Sequence, residues 1–151
     1  MKTLKLIPCI MFLAMFFLSC ENGEHNALPP KPDAQECYIG TMTVDQNDGT
    51  SYTQEEVKVD YEILDGKLNF VMYKVKFAEG MPIKLDMVVE GVDCFGGVGN
   101  YFLTGDNIVP YAMGGPFEKF TITDLYGSIT NDTMKLSFKC GEYPVTYTGT
   151  K

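Results

Sequence analysis

From Cys37 to the C-terminus the chain alternates apolar and polar side chains with a period of two, the period of a strand that buries one face. The clearest stretch sets Val57, Val59, Tyr61 and Ile63 against Glu56, Lys58, Asp60 and Glu62. Met134, Leu136, Phe138 and Cys140 repeat the pattern, so Cys140 is expected to point into the core as a small buried hydrophobe. Asp65-Gly66 follows the first stretch and predicts a type I′ hairpin, because both central residues of that turn need positive φ. No helical period of comparable strength follows Cys20.

The remaining strands are read in the same way. Cys37 to Val44 precedes a polar turn at residues 45–49, and Ile83, Leu85, Met87 and Val89 alternate with Lys84, Asp86 and Glu90. Gly91 to Gly99 holds four glycines and reads as irregular, with no P-loop features. Tyr101 to Leu103 and Ile108 to Met113 are short strand candidates, and Tyr143 to Thr148 is the last strand. Twice the inward parity flips within a strand: Leu68, Phe70 and Met72 give way to Val75 and Phe77, and Phe120 and Ile122 give way to Leu125, Gly127 and Ile129. One extra residue near Tyr73 and another near Asp124 would reconcile each pair, and such bulges bend a sheet toward closure. About eight or nine strands separated by turn signals predict an all-β, antiparallel barrel.

The start of the chain obeys a different rule. Lys2 and Lys5 precede an apolar run from Leu6 to Leu18 that would span only ~20 Å as a helix, short of a hydrocarbon core of about 30 Å. That is the layout of a secretory signal. Phe17-Leu18-Ser19-Cys20 resembles the lipobox of bacterial lipoproteins, although Phe17 and Leu18 depart from its commonest form. The resemblance implies a signal peptide over 1–19, acylation of Cys20, and attachment to an outer membrane with a periplasmic or cell-surface orientation. Residues 20–35, with three prolines and few apolar side chains, read as a flexible linker, which leaves 36–151 as one domain.

Beyond the signal the chain has ten lysines and no arginine against twenty acids. A balance this acidic excludes nucleic acid and electrostatic adhesion to anionic lipid. Cys37, Cys94 and Cys140 remain after Cys20, an odd number that permits one disulfide and a free thiol, or three buried thiols.

Tyr38-Ile39-Gly40 at the start, Leu125-Tyr126-Gly127-Ser128-Ile129 late in the chain, and Tyr147-Thr148-Gly149-Thr150-Lys151 at the close together resemble the calycin-like barrel domain. Many envelope lipoproteins of Gram-negative anaerobes carry that domain. It implies a barrel of about eight strands, related in shape to lipocalins and avidins. It has no established activity, so it transfers no catalytic or binding residues.

Chemistry finds little support in the residues themselves. The single histidine, His25, lies in the linker, so neither a Ser-His-acid arrangement nor a His-containing zinc site can be built in the domain. Glu90, Asp93, Asp106 and Asp124 stand near strand ends, but carboxylate catalysis is not expected from acids on solvent faces. No enzymatic activity, metal or cofactor is therefore expected. Binding remains. A barrel of this size either packs itself shut or holds one small ligand. If it holds one, the ligand is apolar or lipid-like, lined by Tyr61, Phe70, Met72, Phe77 and Phe138, and entered past loops bearing Phe95, Tyr101, Tyr111 and Phe117. The alternative is a protein-interaction module with a filled barrel, and for it an empty interior would be the contrary finding.

Overall fold

Asp65 and Gly66 have φ of 52° and 75°, and they join β2 (Ser51–Leu64) to β3 (Lys67–Val75) with Leu64 opposite Lys67. The turn expected from two residues is thus the turn formed. In the computed structural model, which describes residues 36–151, every further pairing is also antiparallel. The other long strands are β1 (Glu36–Asp45), β4 (Leu85–Gly97), β5 (Asn100–Gly105), β8 (Ile122–Thr130), β9 (Thr133–Cys140) and β10 (Tyr143–Thr150). Two-residue strands β6 (Tyr111–Ala112) and β7 (Gly115–Pro116) lie between β5 and β8.

The strands run β3-β2-β1-β10-β9-β8-β5-β4, and β4 pairs back onto β3. The result is a closed, eight-stranded antiparallel barrel, which leaves no open edge along its circumference. Its near end gathers Glu36, Lys151 and the β2–β3, β4–β5 and β8–β9 hairpins. Its far end gathers the β1–β2 and β9–β10 turns, the segment 76–84 and the insertion 106–121.

Closure depends on bulges, two of them where the parity flips. The β3–β4 register shifts between Met72 and Val75, with Lys74 at φ 52°, and the β8–β9 register shifts between Thr123 and Tyr126, with Asp124 at φ 51°. Two further shifts lie in the β1–β2 pair beside Glu56 (φ 56°) and in the β3–β4 pair beside Gly91. The second of these corrects the reading of Gly91 to Gly99 as irregular. Gly91 is a bulge inside a strand that runs to Gly97, because pairing on both flanks supplies the order that the glycines withhold. Ile83 also departs from its inward reading: it precedes β4 and is 47% exposed. Of the strand expected over Ile108 to Met113, only Tyr111 and Ala112 form one, while Ile108 makes a single bridge to Ile122.

Gln54 and three other side chains hold the bulges by taking up backbone groups that the broken ladder leaves over. Asp86 accepts the Lys74 amide at 3.0 Å, Asp106 accepts the Asp124 amide at 3.2 Å, and Asn69 Oδ1 accepts the Gly91 amide at 2.9 Å. Gln54 donates to the Lys74 carbonyl at 2.7 Å and accepts from the Lys76 amide at 3.2 Å.

Candidate functional site

The interior is built from the side chains that the alternation sends inward. Phe70, Met72 and Phe77 are 0% exposed, Phe138 2% and Tyr61 4%. All five residues expected to line a ligand therefore lie in the core, and Tyr61 also borders a recess at the near end of the barrel. Tyr147, 1% exposed, reaches across to donate its hydroxyl to the Val57 carbonyl at 3.1 Å.

Both ends of the barrel are plugged. At the far end a single 3-10 turn, Glu118–Phe120, drives Phe120 inward, where its ring centroid lies 5.1 Å from Phe77 and 4.8 Å from Phe117. At the near end Glu36 forms a polar lid. Its Oε2 accepts the Tyr61 hydroxyl at 3.0 Å and lies 3.3 Å from that of Tyr38, and its Oε1 accepts Lys151 Nζ at 2.6 Å. The hydrogen bond from Lys151 holds the Glu36 carboxyl below its usual range, while burial, followed by the Glu36 charge, pushes Tyr38 up to about 12. Glu36 and Lys151 also border a recess of about 220 Å³, which brings Tyr61 and Tyr101 together with Val98, Ile129 and Asn131.

The loops expected to frame one entrance are thus divided. Phe95 and Tyr101 belong to the near end, whereas Phe117 packs in the far plug and half-buried Tyr111 pairs with Val88 toward that same end. No single mouth collects them, because β5 separates the two groups along the barrel axis.

The outer wall is grooved. A groove of about 370 Å³ runs over Gly127 between Tyr126, Lys135 and Thr148, and one of about 410 Å³ runs from Pro144 to Thr43, Asp45 and Ser51. They share Ser137 and Thr146, so they form one depression across β8, β9, β10 and β1. Register explains its floor. Thr53, Thr43, Thr146, Ser137 and Tyr126 are successive partners across five strands, and all face outward. Their short hydroxyl side chains leave a trough, with Tyr126, 64% exposed, at its rim. Alternation leaves Ser137 and Tyr126 opposite the inward-facing residues of their strands, but it cannot align them with the threonines, since alignment depends on register across the closed sheet.

Other chemically capable side chains are dispersed. Asp93 pairs with Lys67, Asp124 pairs with Lys139 at 3.3 Å, and Asp106 is committed to the Asp124 bulge. Asp60, read as a solvent-facing acid, is 5% exposed on the outer wall; its Oδ2 accepts from Tyr73 at 2.9 Å and from Lys58 at 3.1 Å. Cys37, Cys94 and Cys140 are all free thiols, and burial pushes the Cys140 thiol up strongly. Among the described residues no three His, Cys, Asp or Glu side chains converge. Cys20 and His25 lie outside the described residues.

No family model, curated protein or solved structure matches this chain. The candidate site therefore rests on geometry alone: an eight-stranded barrel with a packed interior and a hydroxyl-floored groove on its wall.

Proposed function

We propose that the protein is a membrane-anchored envelope lipoprotein, held by acylated Cys20, whose calycin-like barrel is a non-enzymatic interaction module. The observation that carries this reading is the packed interior. Tyr38, Phe70, Phe77 and Met87 are fully buried, which supports recognition at the outer wall over storage of an apolar ligand inside. The groove floored by Ser137 and Thr146 suits a protein partner: the side-chain hydroxyls offer hydrogen bonds, and Tyr126 supplies an aromatic anchor at the rim.

A photo-crosslinker placed at Ser137 in the anchored protein tests the reading in the native envelope. It is expected to join the barrel to a discrete protein, whereas one placed at Ile83, at the far end, is expected not to. Native mass spectrometry of the unmodified protein supplies the contrary arm. An apolar small molecule retained at one per barrel would overturn the reading in favour of an internal ligand.

A further inference from the structure

The near end of the barrel carries apolar side chains that neither the core nor the groove uses. Val98, at the tip of the β4–β5 hairpin, is 99% exposed. Phe95 and Phe102 are cross-strand partners on the outer side of that hairpin, 58% and 65% exposed. Leu64, at the neighbouring β2–β3 turn, is 54% exposed. The β4–β5 hairpin also outreaches its neighbour: Lys67, the first residue of β3, pairs with Asp93, and the Cys94 amide donates to the Gly66 carbonyl in the β2–β3 turn, so Phe95 to Gly97 run past that turn by ~10 Å at about 3.4 Å per residue.

The position of this tip relative to the start of β1 is decisive. Val98 and Glu36 line the same recess, and Glu36 is the sixteenth residue after Cys20. The linker therefore joins the barrel at the end where the apolar tip projects, and it can place that end no more than about 50 Å from the acylated cysteine. The Lys67–Asp93 and Lys151–Glu36 pairs cancel there, and Asp65 and Asp132 in the hairpin turns add negative charge. The end has no cationic excess, so any contact with lipid is through apolar insertion.

We infer that the near end of the barrel docks on the bilayer that carries the Cys20 lipid, with Val98, Phe95, Phe102 and Leu64 seated among headgroups and upper acyl chains. The inference rests on the reading of Cys20 as acylated. It orients the molecule: the far end points away from the membrane, and the groove opens sideways above it.

The chain has no tryptophan, so a single introduced indole reports its own surroundings. Lipidated full-length mature protein bearing Val98→Trp is reconstituted into phosphatidylethanolamine vesicles with brominated acyl chains, beside the same protein bearing Ile83→Trp. The expected result is a blue-shifted emission for Val98→Trp and quenching severalfold stronger than for Ile83→Trp. Equal quenching of the two would overturn docking. So would a blue shift that appears without quenching and grows with protein concentration, since that marks a second copy covering the hairpin. The mass of the N-terminal peptide is read on the same sample. A peptide without acyl mass would overturn the anchor, and with it the argument from the linker; an acylated protein with an unquenched Val98→Trp indole would overturn docking alone.

Discussion

Gly149 faces Gly40 across the β10–β1 pair, and the Tyr147 ring lies over it. A Cβ at Gly149 would stand 2.2 Å from the Tyr147 hydroxyl, the group that bonds the Val57 carbonyl. The Tyr-x-Gly pattern at the C-terminus thus has a physical cause: the aromatic ring covers backbone that the glycine leaves bare, and the glycine leaves room for the ring. Gly149→Ala is expected to lower stability by about 1–3 kcal/mol through overpacking, read as a lower midpoint in urea. Tyr147→Phe is expected to cost about 1–3 kcal/mol as well, because the buried Val57 carbonyl loses its donor. Asp60 marks the limit of reading at this scale. Alternation placed it correctly on the outer face, but it is buried there, and one of its partners, Tyr73, comes from the next strand, which the local pattern does not contain.

Bulges decide the fate of whole strands, and they were legible where large apolar residues flank the flip. Met72 against Val75, and Ile122 against Leu125, can be buried on one face only if a residue is skipped between them. The Gly91 bulge was hidden by its own composition. Four glycines in nine residues read as a loop, yet β3 and β5 flank the segment and its alternation resumes at Val92 and Cys94. The side chains that hold the bulges carried no signal, since each acts on a strand that only the fold brings near. Gln54 is the most testable of them, being 9% exposed and bonded to backbone on both sides of Val75. Gln54→Ala is expected to cost about 1–3 kcal/mol by leaving the Lys74 carbonyl and Lys76 amide without partners. Hydrogen exchange localises the effect: the Lys76 amide should gain exchange well beyond that of core amides in β9. A uniform gain throughout the barrel would show that Gln54 acts on global stability rather than on the bulge.

At the scale of the molecule the barrel is fastened where its chain begins and ends. Glu36 and Lys151 are 115 residues apart and meet at 2.6 Å, and the same carboxylate gathers the hydroxyls of Tyr61 and Tyr38 beneath it. The closing Lys151 was visible as part of a motif, but its partner was not, because only closure of β1 on β10 brings the first and last strands of the barrel together. The consequence is a pH dependence of known sign. Glu36 has a carboxyl held below its ordinary value of 4.5, chiefly by the hydrogen bond from Lys151. A group lowered by folding contributes stability that is present above its unfolded value and is lost as pH falls through its folded value. The thermal midpoint of the wild-type barrel is therefore expected to fall as pH drops from about 5 to about 3, with other paired acids contributing to the slope. Glu36→Gln keeps an acceptor for the tyrosines but removes the charge that Lys151 meets. It should lower the midpoint near neutrality and flatten its decline below about pH 4.5, so that the two curves converge in acid. Parallel curves for wild type and variant over that range would mean that the Glu36–Lys151 pair does not fasten the barrel, and that closure at the near end rests on the β1–β10 ladder alone.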